Sequence, residues 1–422
     1  MYRKSTLTNG LRVITNKMSG TNAVTCMVLV KAGSRWETKN ISGISHFLEH
    51  MFFKGAKKYE NAKAVSEAID SVGGDFNAFT GKEYAGYYVK VASAHTKLAL
   101  DVLSDMMQHA RFAEEEIEKE RGVILEEFNM YQDTPMYQVA WNFERAMFGD
   151  QPLGWDEIGL KDVIRGLKRE DFVKYKESLY TTENMVLVMA GDVNHDEAEK
   201  LADKYFHMEA VKTTREMKSF VSGLDSVERV SLQTKKTEQT HLVCGVPGLP
   251  EDHKDHYVLK VLASVLGGSM SSRMFLAVRE AKGLAYYIST GTEDYLDTGA
   301  LYTRAGVDVN RVDDAVKAIV EEYDKVRRLG VPATEVKKGR EFLKGKLTLR
   351  LEDSENLAQM YARDELLHDG VRTYAEIAKE IDEVTAEDVH RVAKDLLQDD
   401  ALYLAVIGPY EDEERFLKGL KF

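Results

Sequence analysis

The 422-residue chain has no run of about eighteen apolar residues, the length that marks a membrane-spanning helix. Its opening segment, Met1 to Gly10, lacks the apolar core of a secretory signal peptide, and no long Arg-rich amphipathic presequence follows. Cysteine is scarce. Cys26 and Cys244 stand far apart in strand-like runs, which excludes a disulfide framework and reads as two buried thiols. Positive charge is also short: 57 Lys and Arg face 70 Asp and Glu, for a net charge of −13. That balance argues against a nucleic-acid partner, which needs a basic footprint. It fits solubility and mildly favours cationic peptides. These absences predict no membrane insertion and a cytoplasmic setting. What remains is 44% hydrophobic and 30% charged, an ordinary globular composition on a chain long enough for two or more domains.

The most informative stretch is His46-Phe47-Leu48-Glu49-His50. On a helix, His46 and His50 lie about 40° apart on one face, and Glu49 flanks His46 about 60° to the other side. Two imidazoles so placed can grip one Zn²⁺, and this is the H-x-x-E-H order of the inverted zincins. The plainer alternative is a partly buried helix with two satisfied histidines. A metal ion beside a carboxylate is a device for activating water. Catalytic zinc takes a third protein ligand. The stretch from Glu114 to Phe128 reads as a helix with Ile117, Ile124 and Phe128 on its apolar stripe. Glu120 and Glu127 stack two turns apart near that stripe, and a buried carboxylate must be paired, hydrogen-bonded or metal-bound.

The chain also contains one design twice. A strand over 23–30 leads into the motif helix, then strands between Phe76 and Val91, then an amphipathic helix bearing Leu98, Val102, Leu103, Met106 and Met107. The second half repeats that order with a strand over 240–246, a helix over 256–266, two strands between Leu284 and Val307, and a helix over 312–327. Its motif region, Leu259 to Gly268, carries no metal ligands. Strand-like runs at 184–192 and 401–408 close the two halves. The expected fold class is α+β, two related sandwich domains of sheet covered by helices. Their expected bounds are 1–212 and 229–422, with a polar linker over 213–228.

Glu127 follows His50 after seventy-six intervening residues, and Glu120 stands seven before it. With the flank Gly43 to Gly55, this spacing resembles the pitrilysin family of zinc peptidases, and the processing-peptidase subgroup within it. The resemblance spans nearly the whole chain. It implies that His46, His50 and Glu127 hold Zn²⁺, that Glu49 is the general base and that Glu120 supports the site. It implies that Asn77, Ala78, Phe79 and Thr80 form an edge strand that captures an extended peptide through backbone hydrogen bonds. Read without the resemblance, that run is an ordinary hairpin strand. The family has Glu-x-Thr just downstream, where this chain reads Glu83-Tyr84-Ala85. In the second half, Arg279 and Tyr286 match an Arg and a Tyr that contact bound substrate, with Tyr287 the nearest competitor. The implied architecture is half of a clam-shell chamber. The implied activity is a zinc-dependent endopeptidase acting on unstructured oligopeptides or targeting-type peptides. A homodimer is expected, with a heterodimer including a metal-free relative as its competitor. A non-catalytic peptide-binding or scaffolding subunit is the alternative function, and a zinc hydrolase of non-peptide substrates survives on the motif alone.

Overall fold

The computed structural model describes residues 2–223 and 228–422. Residues 224–227 of the expected linker lie outside the described residues. The described residues form two sheets. The first contains β1 (Tyr2–Thr6), β2 (Arg12–Lys17), β3 (Ala23–Val30), β4 (Asp75–Thr80), β5 (Ala85–Ala92) and β6 (Met185–Gly191), in the order β1-β2-β6-β3-β5-β4. The second contains β7 (Val230–Thr234), β8 (Gln239–Pro247), β9 (Ala285–Asp294), β10 (Gly299–Asp308) and β11 (Tyr403–Gly408), in the order β7-β11-β8-β10-β9. Without β1, the first sheet has the order and strand directions of the second. β2 runs parallel to β6 as β7 does to β11, and β3 and β8 are antiparallel to both neighbours. The fold is α+β, and the duplication expected from the sequence is present.

The compact units do not follow the linear halves. One consists of residues 1–128, 155–218 and 349–372, the other of 129–154, 219–348 and 373–422. Helix Ser354–His368, from the second half of the chain, packs on β3 and β6 of the first sheet. Helix Pro135–Phe148, from the first half, packs on β8 and β11 of the second. The physical reason lies in their apolar stripes. Val139, Phe143, Met147 and Phe148 bury against Val243, Ala405 and Ile407. Leu357, Ala358, Ala362 and Leu366 are buried in the first unit. There the Thr25 and Ser354 hydroxyls meet at 2.8 Å in the interior, and the buried Glu365 carboxylate pairs with Lys4 at 2.7 Å. β6 is buried along its length, as is β3 from Val24 onward, the pattern of strands covered on both faces.

The motif helix spans Ile44–Phe52 and places Phe47 edge-on to Phe172, with ring centroids 4.8 Å apart. Its first turn is capped from outside the helix. The buried Glu37 carboxylate accepts from the Gly43 and Ser45 backbone N–H groups at 2.7 and 2.8 Å. Its two oxygens satisfy donors that every helix N-terminus leaves unpaired. Gly43 itself has φ of 92°, a conformation that favours glycine. Helix Glu114–Asp133 buries Ile117, Glu120, Arg121 and Ile124. Among the described residues no helix is long and apolar enough to cross a membrane.

Candidate functional site

The motif helix and helix Glu114–Asp133 bring His46, His50 and Glu127 together. One ligand atom from each lies within 4.8 Å of the others. Glu127 Oε2 stands 3.7 Å from His46 Nε2 and 3.6 Å from His50 Nε2, and the two rings meet edge to face at 4.7 Å. These separations are too long for hydrogen bonds. They suit a shared cation, because ligands about 2.0–2.2 Å from a tetrahedral zinc stand roughly 3.5 Å apart. His50 Nδ1 donates to Glu120 Oε1 at 2.8 Å, which leaves the Nε2 lone pair for the centre. The other Glu120 oxygen pairs with Lys54 Nζ at 2.6 Å. The donor set and its outer support therefore fit zinc.

The electrostatics agree with that reading. Burial, assisted by neighbouring His50, lowers the His46 pKa to about 3, so its ring is neutral and able to bind a metal. Burial opposes charge on His50 as well, but the hydrogen bond to Glu120 and the carboxylates of Glu49, Glu120 and Glu127 raise its pKa overall. Burial raises Glu120 too, yet its bonds to His50 and Lys54 prevail and hold it below the usual carboxylate range. Burial pushes Glu49 up, against the lowering effect of the Thr80 hydroxyl and His50. A carboxyl with a raised pKa near a metal site is suited to accept and return a proton.

Glu126, the neighbour of Glu127, points to solvent, which matches the helical register expected from the sequence. Among the described residues β4 is the outermost strand of its sheet, paired on one side only with β5, from Asp75 opposite Lys90 to Thr80 opposite Ala85. Asn77 is exposed on it, and Ala78, Phe79 and Thr80 are half-buried. Its far end meets the motif helix, where the Thr80 hydroxyl donates to Glu49 Oε2. Arg279 and Tyr286 belong to the second compact unit. Arg279 lies on a π-helical turn, Phe275–Ala281, with its guanidinium 4.6 Å from the Phe275 ring centroid. Such turns recur at functional sites. Tyr286 is 69% exposed at the start of β9, whereas the Tyr287 hydroxyl is engaged by His241 Nδ1 at 2.9 Å. Of the two tyrosines, Tyr286 is the exposed one.

Sequence reasoning missed three supports of the site. Lys54 lies one turn after His50, and that spacing was its only signal. Glu37 gave none, because a single buried acid outside a helix has no periodicity. Arg35 and Glu83 form a buried ion pair at 2.5 Å that fixes the turn after β4. Glu83, which matches the family's Glu, is thus a structural residue, and the departure falls on Ala85, buried at the start of β5 opposite Thr80.

Comparison with known proteins identifies the family. Residues 12–158 match the insulinase model of peptidase family M16, and residues 166–343 match the model of the M16 inactive domain. An uncharacterized zinc protease of Bacillus subtilis is 37% identical over 97% of this chain and 98% of its own length. One from Streptomyces coelicolor is 34% identical over 98% of this chain and 90% of its own. Among solved structures, a protease from Helicobacter pylori superposes with a TM-score of 0.88 at 23% identity, covering 97% of this chain and 99% of that one. A chain of complex III2 from Candida albicans gives 0.84 at 17% identity with full coverage of both chains. At such identities the likeness to solved structures concerns the fold alone.

Proposed function

The chain belongs to peptidase family M16, and on that premise we propose that it is a zinc-dependent endopeptidase of unstructured oligopeptides or targeting-type peptides. The observation that carries this reading is the convergence of His46, His50 and Glu127 beside the Glu49 carboxylate. His46, His50 and Glu127 hold the zinc, which when bound supplies Lewis-acid polarisation and lowers the pKa of water. Glu49 takes a proton from the attacking water and later passes it to the leaving amine. Glu120 keeps the His50 tautomer in place, and Lys54 balances the Glu120 charge. The free edge of β4, from Asn77 to Thr80, offers backbone groups to an extended peptide. Arg279 and the Tyr286 hydroxyl complete substrate binding, since a guanidinium and a phenol can hold carbonyl oxygens.

Edge-strand capture reads backbone rather than side chains, so a peptide must be unfolded to be held. One chain carries both the zinc-ligand motif and the Arg279/Tyr286 pair, and this favours a homodimer of clam-shell halves over a heterodimer with a metal-free relative. The test is mass spectrometry of products from a mixed peptide library, with and without chelator, alongside light scattering of the protein expressed alone. Chelator-sensitive cleavage by a dimer is expected. A zinc-loaded protein that binds peptides but never cuts them would instead identify the non-catalytic subunit. A monomer active only after a different chain is added would overturn the homodimer.

A further inference from the structure

Glu49 is held from outside its own helix. Among the described residues its carboxylate has one hydrogen-bond partner, the Thr80 hydroxyl, which donates to Oε2. Thr80 is the last residue of β4, and the turn that follows is fixed on several sides. Gly81 N donates to Tyr84 O at 3.0 Å, Ser34 N to Gly81 O at 3.3 Å and Arg35 N to Lys82 O at 2.9 Å. The buried Arg35–Glu83 pair locks the same turn. Gly33 is required there, because a Cβ at that position would stand 2.3 Å from Gly81 O. So many restraints on one turn place the Thr80 hydroxyl firmly, and that hydroxyl is what meets Glu49 on its nine-residue helix.

We propose that Thr80 is a positioning residue for proton transfer. Its hydroxyl fixes the Glu49 carboxylate in one rotamer and ties the base to the strand on which the peptide lies. This assignment rests on the peptidase reading but goes beyond backbone capture, since it gives a β4 side chain a role in turnover. A base whose reach depends on one hydrogen bond spends less time in the productive geometry once that bond is lost. Loss of an orienting partner of this kind costs on the order of 10- to 100-fold in activity.

The test compares wild type, Thr80→Ser and Thr80→Val on a quenched-fluorescence peptide, with zinc content and thermal midpoint measured on each. Thr80→Val keeps the shape and removes the hydroxyl. It should lower kcat about 10- to 100-fold at unchanged KM and unchanged zinc, and Thr80→Ser should restore kcat to within a few-fold. In a Glu49→Gln background, Thr80→Val should cost nothing further, because the partner it acts through is gone. Should Thr80→Val fold poorly, Thr80→Ala in the same double-mutant cycle gives the same readout. Full kcat in the valine variant, a loss confined to KM, equal loss in serine and valine, or an additive loss in the Glu49→Gln background would each overturn the assignment. Absence of wild-type turnover would instead overturn the peptidase reading on which it rests.

Discussion

His50 Nδ1 lies 2.8 Å from Glu120 Oε1, and this contact decides which nitrogen of His50 is left for the metal. The donated Nδ1–H fixes the tautomer, and Lys54 on the far oxygen keeps Glu120 ionised. Support thus runs from a lysine through a carboxylate to a ligand, with each member one step further from the centre.

That order predicts a graded series in zinc content. Glu127→Gln removes a ligand and should leave little bound zinc at sub-micromolar metal. Glu120→Gln should weaken zinc or activity by roughly 10- to 100-fold, as loss of an outer partner does. Glu126→Gln should leave zinc unchanged, because Glu126 faces solvent. Elemental analysis after dialysis against a weak chelator ranks the three. Normal zinc in Glu127→Gln with loss in Glu126→Gln would show that the helix register is wrong.

Glu49→Gln separates binding from chemistry. The amide cannot accept the proton, so turnover should fall by at least about 10²-fold. Zinc content should stay near wild type, because Glu49 is not among the three converging ligands. Turnover close to wild type at normal zinc would remove Glu49 from the mechanism.

The parts of this site that could be read from the sequence are those set by helix periodicity. His46, Glu49 and His50 share a helix, and Glu120 and Glu127 another, so spacing fixes their faces before any fold is known. The duplicated strand order was also legible, because β3, β6, β8 and β11 are apolar runs. What escaped depends on which surfaces meet. An apolar stripe on Pro135–Phe148 or Ser354–His368 says that each helix buries one face, but not which sheet receives it. The Thr80–Glu49 bond and the Arg35–Glu83 pair join residues 31 and 48 positions apart. No local pattern encodes such contacts.

Glu37 should leave a signature in the pH dependence of stability. Burial raises its pKa from 4.5 to about 7, even though the Ser45 and Gly43 N–H groups pull the other way. The folded state therefore keeps this proton between about pH 4.5 and 7, where the unfolded chain has released it. More protons bound in the folded state means that unfolding free energy falls as pH rises through this window. The contribution is fully present below pH 4.5 and lost by about pH 7. It amounts to roughly 3 kcal/mol at most. Urea unfolding at pH 5 and pH 8 should show this drop in wild type and a smaller one in Glu37→Gln. Parallel profiles for the two proteins would show that the carboxyl is not titrating in the fold.

The placement of Ser354–His368 on β3 and β6 makes the first compact unit dependent on residues far along the chain. A fragment of residues 1–212 keeps every zinc ligand yet lacks the helix that buries Leu357, Ala358, Ala362 and Leu366. It also lacks Glu365, the partner of Lys4 and Arg12. Losing several buried apolar side chains, each contributing about 1.5–3 kcal/mol, exceeds what a marginally stable unit tolerates. The fragment alone should aggregate or show no cooperative thermal transition, and co-expression with residues 213–422 should restore a soluble, zinc-binding complex. In the intact chain, Leu366→Ala should destabilise the first unit by about 2–5 kcal/mol, because it opens a cavity against fully buried strands. Leu417→Ala should cost far less, because Leu417 is 45% exposed. A fragment of residues 1–212 that unfolds cooperatively and holds zinc by itself would show that the first sheet does not need the exchanged helix.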